Sequence, residues 1–309
     1  MIASIVIAVR SVRMSEFPAT RERPYLIVAT VTPLSDDGSR LDLDAVGPYM
    51  QFLESHGADG AFVAGTTGEG ILLSLEERRR LAEAFRAAIS GTLVVHAGAQ
   101  TTADTCALAA HASESGADAV AVIAPPYFAL DADALSAHFV AAARASAPLP
   151  FFVYAFTARS GYPIPTEVIR DVADSADNLA GLKVSESPFE RVVPYLDLGL
   201  PVLIGSEPLI PAGLAHGAVG SVSGMAAAFP DVVRSALDDP WAENEKRLRA
   251  LRGGLEASGQ FIAAAKRVLG IRGVPVTPGV RSPLRRLRPE EAKRLERDVA
   301  SFIESPATA

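Results

Sequence analysis

One lysine stands in the middle of an apolar run of the sequence. The stretch NLAGLKVSES places Lys183 directly between leucine and valine. The other lysines, Lys246, Lys266 and Lys293, fall in a charged C-terminal stretch, where we expect solvated side chains. An amine enclosed by apolar residues loses hydration and its pKa falls, so that the neutral form becomes a nucleophile able to form a Schiff base with a carbonyl compound. Lys183 is therefore the first candidate for covalent chemistry.

Two further stretches place polar groups beside apolar runs. FFVYAF carries Tyr154, a phenol that could donate and accept a proton next to an imine. GAFVAGTTGEG ends in a turn that holds Gly65, Thr66 and Thr67. It is not a Walker-type phosphate loop, because no Lys-Ser/Thr pair follows its last glycine. Backbone N–H groups and two hydroxyls suit the carboxylate that a 2-oxo acid carries next to its ketone.

The elements that must position these residues alternate along the chain from Tyr25 onward. The predicted strands are YLIVATVTP, GAFVAGTT, LVVHAGA, AVAVIAPP, FFVYAF, AGLKVSE, PVLIGSE and GSVSGM. A segment with apolar residues at helical spacing follows each strand. Strands buried on both faces are continuous apolar runs, so this pattern predicts an α/β fold, a (β/α)8 TIM barrel. An open doubly wound sheet is the alternative, but VTPLSDDG lacks its nucleotide fingerprint.

Strand residues of a barrel alternate between the lumen and the helix layer, and active sites lie at the C-terminal strand ends. In AGLKVSE this alternation turns Leu182 and Val184 toward the helices and Lys183 into the lumen. It also places Tyr154 in the lumen on the adjacent strand, with Phe152 below it. The structural alternative is a buried lysine held in a salt bridge. The carboxylates near strand ends that could serve it are Glu69, Glu186 and Glu207.

The chain divides into three predicted parts. The barrel spans residues 24–238, and residues 239–309 form a C-terminal helical extension whose charge runs are expected to be solvated faces. Residues 1–23 are expected to be a disordered or loosely attached tail, with Met14 as an alternative start. A secretory signal is rejected because the arginines follow the short apolar run instead of preceding it.

Composition narrows the class of partner. Among 309 residues 21% are charged, and the net charge of −7 argues against nucleic acid or an anionic membrane as partner. Small soluble substrates are therefore the expected class of partner. Cys106 is the single cysteine, so no intrachain disulfide can form, which favours a cytoplasmic location.

The motifs GTTGE, the tyrosine followed by Arg159 in YAFTARSG, and the strand GLK together resemble the dihydrodipicolinate synthase / N-acetylneuraminate lyase family of pyruvate-dependent class I aldolases. The resemblance runs from about Tyr25 to the C-terminal helices. It implies a homotetramer built as a dimer of dimers, a pyruvate-like substrate, and no cofactor or metal beyond the covalent imine.

The same resemblance implies individual roles. Lys183 would form the imine, Tyr154 would shuttle the proton and Thr66 would hydrogen-bond that tyrosine. Thr67 and nearby backbone N–H groups would hold the carboxylate, and Arg159 would meet the distal part of the second substrate. The remaining positions that match the substrate pocket are Gly65, Gly205 and Val222.

Departures from the family pattern bear on the substrate. Dihydrodipicolinate synthases carry two adjacent tyrosines after strand four, the second of which reaches into the neighbouring subunit's site. Here Tyr127 is followed by Phe128, which cannot relay a proton. Thr66 stands where the N-acetylneuraminate lyase branch tends to have serine. We therefore expect cleavage or formation of a 2-oxo-3-deoxy sugar acid or a similar compound, with the condensation of pyruvate and aspartate semialdehyde as the alternative.

Two other classes remain open. A metal-dependent aldolase would need histidines and carboxylates clustered at the strand ends. Only His96 lies near one, and surface or cap roles are expected for His56, His111, His138 and His216. A non-catalytic protein that binds a 2-oxo acid is the second alternative. The presence of lysine, tyrosine and threonine together argues against it.

Overall fold

The computed structural model describes residues 23–304 of the chain. Its strands are β1 Tyr25–Ala29, β2 Gly60–Val63, β3 Thr92–His96, β4 Ala119–Ile123, β5 Phe151–Ala155, β6 Leu179–Val184, β7 Val202–Ile204 and β8 Gly220–Ser223. Its α-helices are α1 Val46–Ser55, α2 Leu75–Ala88, α3 Thr102–Glu114, α4 Ala132–Ser146, α5 Thr157–Ser160, α6 Thr166–Ser175, α7 Val193–Leu196, α8 Ile210–Ala215, α9 Pro230–Asp238, α10 Ala242–Glu256, α11 Phe261–Ile271 and α12 Pro289–Glu304.

The strands within this range form a closed parallel barrel. They pair in sequence order, and β8 pairs with β1 to close the ring. The predicted (β/α)8 TIM barrel with a C-terminal helical segment is confirmed. None of the helices in residues 23–304 combines the length and the apolar content needed to cross a membrane.

The predicted N-terminal tail lies outside the described residues except for Arg23, as do residues 305–309. Helix α9 ends at Asp238 and α10 begins at Ala242. That this junction separates a barrel unit from an extension stays a prediction.

Local sequence explains where several helices begin. Ser74 caps α2: its hydroxyl accepts the backbone N–H of Glu77, and the Glu77 carboxylate accepts the backbone N–H of Ser74. Thr101 and Asp131 cap α3 and α4 in the same way, each through one side-chain oxygen. Such caps satisfy N–H groups that the first helical turn leaves without partners. The caps consequently fix where these three helices begin after the loops that follow β2, β3 and β4.

Alternation along each strand separates two cores. Leu182 and Val184 of β6 belong to the outer core between strands and helices. Lys183, between them, points the other way. The apolar residues of the lumen include Ile27, Phe62, Val94, Ala121, Phe152, Tyr154, Leu203 and Val222. As predicted from the sequence, the residues beside Lys183 face the helices while the lysine enters the lumen.

One lysine of the C-terminal helices differs from the solvated side chains that the charge pattern predicted. Lys266 of α11 is fully buried. Its ammonium lies 2.6 Å from Glu69 Oε1 and 2.6 Å from the backbone oxygen of Gly279. The prediction that Lys266 is solvated was therefore wrong. Ala263, Ala264 and Ala265 of the same helix are buried as well, and a neighbouring carboxylate makes a buried ammonium tolerable.

The surface or cap role expected for His138 was also wrong. This side chain is 3% exposed, and its Nδ1 lies 2.9 Å from the hydroxyl of Thr102. Burial lowers the pKa of His138 to about 4. The imidazole is thus a neutral core group between α3 and α4.

Candidate active site

Lys183 lies near the C-terminal end of β6, enclosed by aromatic rings. The side chain is buried, and its Nζ lies 3.9 Å from the ring centroid of Phe62 and 4.0 Å from that of Tyr154. Burial lowers the pKa of Lys183 from its ordinary 10.5 to about 7, while the negative charge of Glu207 opposes this fall. Ring faces stabilise a desolvated ammonium by only about 2 kcal/mol. Burial costs more than that, so a large neutral fraction exists near pH 7.

The carboxylates that could have neutralised this lysine are engaged elsewhere. Glu69 pairs with Lys266, and Glu186 accepts hydrogen bonds from the backbone N–H and the hydroxyl of Thr157. Glu207 accepts from Ser223 and pairs with Arg252. Among residues 23–304 none forms a salt bridge with Lys183. The alternative of a structural lysine in a salt bridge therefore finds no support in the described part of the chain.

Tyr154 stands beside the lysine on the neighbouring strand. The two residues are direct partners in the pairing of β5 with β6, and Tyr154 is 2% exposed. Burial raises the pKa of its phenol, while side-chain hydrogen bonds with Thr66 and Ser185 and the charge of Arg159 act in the opposite direction. The phenol is therefore protonated at neutral pH and can first act as a proton donor.

The turn after β2 is held in one conformation by its own backbone. The N–H of Glu69 donates to Thr66 O, and that of Gly70 donates to Gly65 O. A Cβ at Gly70 would lie 1.8 Å from Ala64 O, so only glycine fits there. The backbone N–H groups of Thr66 and Thr67 make no hydrogen bond to any acceptor in residues 23–304. They remain available for an anion, as does the hydroxyl of Thr67, whereas the hydroxyl of Thr66 is hydrogen-bonded to Tyr154.

The opposite wall of the pocket requires small residues. A Cβ at Gly205 would lie 1.9 Å from the hydroxyl oxygen of Ser185. A Cβ at Gly224 would lie 3.0 Å from the hydroxyl of Thr67. Gly205 and Val222, both predicted as pocket residues, line the cavity together with Lys183. Absence of a side chain at Gly205 therefore leaves room for Ser185 to hydrogen-bond Tyr154.

His96 lies in the same pocket, but its nitrogens are occupied. The ring centroid is 5.8 Å from that of Phe62 and 6.0 Å from that of Tyr154. Nδ1 lies 3.1 Å from Ala64 O, and the N–H of Ile123 donates to Nε2 at 3.4 Å. Burial holds the pKa of His96 well below its usual range. The imidazole is a neutral wall of the site. Residues 23–304 contain no group of three or more His, Cys, Asp or Glu arranged to hold a metal ion.

Arg159 differs in its surroundings from the other arginines of the pocket. Arg252 pairs with Glu207 at 2.9 Å, and Arg285 pairs with Glu291 at 2.8 Å. Arg159, exposed on α5, lies 5.6 Å above the ring of Phe156 and forms no salt bridge within the described part of the chain. Its guanidinium is therefore free to meet an anionic group of a ligand.

Tyr127 and Phe128 do not join the pocket of their own chain. They are 87% and 72% exposed, and their rings contact each other at 4.8 Å between centroids. Tyr127 adopts a positive φ of 85°, an uncommon conformation for a bulky residue. The structure thus holds these rings on the surface, and their predicted place at a subunit interface stays a prediction.

The complete cavity has a volume of about 520 Å³ and reaches from the lumen to the C-terminal helices. Sequence reasoning missed several of its residues. Ser185 could have been found, because it lies two positions after Lys183 and so shares its face of the strand. Arg252, Phe261 and Leu284 carry no such signal, because they come from helices and loops that only the tertiary fold brings to the cavity.

A closed (β/α)8 barrel with a buried lysine beside a tyrosine at the C-terminal strand ends has the layout of a class I aldolase. Residues 24–302 match the model of the dihydrodipicolinate synthetase family. The chain belongs to this family, as its GTTGE, YAFTARSG and GLK motifs predicted.

Named relatives of the chain are lyases. The N-acetylneuraminate lyase of Rhizobium meliloti is 33% identical over 89% of this chain and 94% of its own length. An uncharacterized DapA-like lyase of Halobacterium salinarum is 33% identical over 89% of this chain and 93% of its own length.

Solved structures agree with this assignment. The N-acetylneuraminate lyase of Proteus mirabilis is 28% identical, with a TM-score of 0.81 over 90% of this chain and 98% of its own. KD(P)GA from T. tenax is 26% identical, with a TM-score of 0.80 over 91% of this chain and 99% of its own. The predicted family, fold and lyase class are thereby confirmed.

Proposed function

We propose that this protein is a Schiff-base-forming lyase that cleaves or forms a 2-oxo-3-deoxy sugar acid, with pyruvate as the 2-oxo fragment. The observation that carries the proposal is the buried amine of Lys183, which lies beside the phenol of Tyr154 and forms no salt bridge with any residue of 23–304. The named lyases among the relatives support the substrate class.

Each step has a group in position. The neutral Lys183 Nζ attacks the ketone carbon, and the oxygen leaves as water with one proton from the amine and one from Tyr154, so that a protonated imine and a phenolate remain. The turn of Thr66 and Thr67 receives the carboxylate, which orients the ketone toward the amine. In the cleavage direction, the phenolate of Tyr154 takes the proton of the hydroxyl on C4. The C3–C4 bond then breaks: C4 leaves as the carbonyl carbon of the aldehyde product, and the electron pair neutralises the protonated imine to give an enamine. Protonation of the enamine and hydrolysis release pyruvate and the free lysine.

Reductive trapping of the imine between pyruvate and Lys183 tests this proposal directly. The protein is incubated with pyruvate and reduced with borohydride, and the modified residue is located by peptide mass spectrometry. A reduced adduct on Lys183 is expected. An unmodified lysine at saturating pyruvate would support the binding-protein alternative instead. Release of pyruvate from several 2-oxo-3-deoxy sugar acids, compared with condensation of pyruvate and aspartate semialdehyde, then identifies the reaction.

The lowered pKa of Lys183 predicts a pH dependence for imine formation. The reactive form is the free amine, so the initial rate of adduct formation is expected to rise with pH and to level off above about 7. An ordinary lysine would keep gaining reactivity up to about pH 10.4. The measurement is the rate of trapping at a series of pH values with pyruvate in excess. A rate that still increases steeply above pH 9 would contradict the proposed environment of this amine.

Arg159 is expected to select the second substrate. Replacing Arg159 with alanine should lower kcat/KM for anionic partners by about 10- to 100-fold, because a charge-assisted hydrogen bond is lost. Neutral aldehydes and the trapping of pyruvate should be affected little. Arg170→Ala, which removes a surface arginine bonded to Thr166, is the matched control. If Arg159→Ala left the kinetics of every partner unchanged, its placement in the binding site would be wrong.

Assembly and location also belong to the proposal. We expect a homotetramer, supported by the family resemblance and by the exposed rings of Tyr127 and Phe128. Sedimentation velocity of the native protein measures the mass of the assembly. A cytoplasmic location is supported by the single cysteine.

A further inference from the structure

A buried ion pair connects the C-terminal helices to the turn after β2 that carries Thr66 and Thr67. Lys266 and Glu69 are separated by 197 positions, yet both side chains are completely inaccessible to solvent. Glu69 Oε1 accepts from Lys266 Nζ, and Glu69 Oε2 accepts the backbone N–H of Arg281 at 2.6 Å. The ammonium also donates to Gly279 O at 2.6 Å. Both carboxylate oxygens of Glu69 and the ammonium are therefore engaged.

Such a pair contributes little net stability. Burial lowers the pKa of Lys266, and the charge of Glu69 only opposes that effect. Desolvation of two ions often cancels their attraction, so an apolar pair of similar volume can be equally stable or more stable. Stabilisation alone therefore does not account for the presence of these charges in the core.

The location of Glu69 gives the pair a geometric role. Glu69 has a positive φ of 57°, which a residue other than glycine adopts only when its surroundings hold it there. Its N–H donates to Thr66 O, and its own carbonyl accepts from Leu72. Fixing the Glu69 side chain therefore fixes the backbone that carries Thr66 and Thr67.

The other end of the pair controls a second wall of the cavity. Gly279 and Arg281 belong to the loop that leads to Pro283 and Leu284, which line the cavity. Phe261, on the same helix as Lys266, also lines it, and a Cβ at Gly224 would lie 3.5 Å from its ring. One buried contact thus connects the turn that would receive the carboxylate to the wall that would receive the distal part of the substrate.

We propose that Lys266 and Glu69 are positioning residues that hold the Thr66–Thr67 turn in its binding geometry against the C-terminal helices. The proposal rests on the carboxylate-binding role proposed for that turn. It gives the C-terminal segment a part in catalysis without any contact between Lys266 and the substrate.

The experiment compares Lys266→Met with the double variant Lys266→Met/Glu69→Gln, in which neither position carries a charge. The pyruvate concentration for half-maximal borohydride trapping and the free energy of unfolding in urea are measured for each. Arg267→Met, which breaks the exposed pair of the adjacent residue with Glu296, is the matched control. Glu69→Gln alone replaces Lys266→Met in the comparison if the latter does not fold.

If the pair positions the turn, pyruvate binding and stability should respond differently to the double substitution. The double variant should regain most of the stability that Lys266→Met loses, but both should need about 10- to 100-fold more pyruvate, because the turn is displaced. The control should match the wild type in both measurements. If the double variant regains both the wild-type stability and the wild-type pyruvate concentration for half-maximal trapping, each charge of the pair only neutralises the other and the inference is wrong. Failure of the wild type itself to trap pyruvate would instead refute the proposed function, and this role with it.

Discussion

Replacing Lys183 with methionine is expected to abolish turnover and pyruvate trapping while making the protein more stable. Methionine fills the same lumen space but cannot form an imine. Loss of a covalent nucleophile lowers kcat on the order of 10⁶-fold in a well-studied protease, and we expect an effect of comparable size here. The measurements are kcat with the best sugar acid and the yield of reduced adduct.

The gain in stability follows from the titration of Lys183. Its pKa is about 7 in the folded protein and 10.5 as its ordinary value. Between these pH values the unfolded chain binds a proton that the folded protein does not, so the stability of the wild type increases with pH across this window. Near pH 7 and below, the free-energy contribution of this pKa shift opposes folding. Replacing Lys183 with methionine removes that contribution and should raise the free energy of unfolding by on the order of a few kcal/mol.

Denaturant unfolding at pH 7 and pH 10 therefore distinguishes catalytic loss from misfolding. Lys183→Met should be more stable than the wild type at pH 7, and the difference should shrink toward pH 10. Lys246→Ala, which removes a largely exposed lysine, should change neither activity nor stability appreciably. Residual turnover in Lys183→Met near the wild-type value would exclude the imine route altogether.

Replacing Tyr154 with phenylalanine is expected to lower kcat by about 10²- to 10⁴-fold, the range typical of a lost general acid or base. The ring of Tyr154 also packs against Lys183 and Phe62, and phenylalanine preserves those contacts. Only the hydroxyl is removed, together with its hydrogen bonds to Thr66 and Ser185. The adduct on Lys183 should still form at long incubation, because the amine itself is unchanged.

Tyr195→Phe is the matched control for this variant. The Tyr195 hydroxyl is also buried and donates to Ile164 O at 2.7 Å, but it does not line the cavity. Its loss should cost about 1 kcal/mol of stability with little effect on kcat. Equal losses of activity in both variants would show that Tyr154 acts through packing and not through its proton.

The fold could be predicted because its signals are local and repeated. Apolar runs separated by amphipathic segments specify strands buried on both faces, and the period of two along AGLKVSE places Lys183 in the lumen while Leu182 and Val184 face the helices. The same period brought Tyr154 beside it, because β5 and β6 are consecutive strands of a parallel barrel. The motifs GTTGE, YAFTARSG and GLK then identified the family.

Only the tertiary structure decided which charges have partners. The sequence offered Glu69, Glu186 and Glu207 equally as partners for Lys183, and it predicted that Lys266 is solvated. In the fold Glu69 pairs with Lys266 across 197 positions, and Lys183 remains without a carboxylate among the described residues. The physical reason is that pairing and desolvation depend on distances between distant segments, whereas the residue pattern reports only the local direction of each side chain.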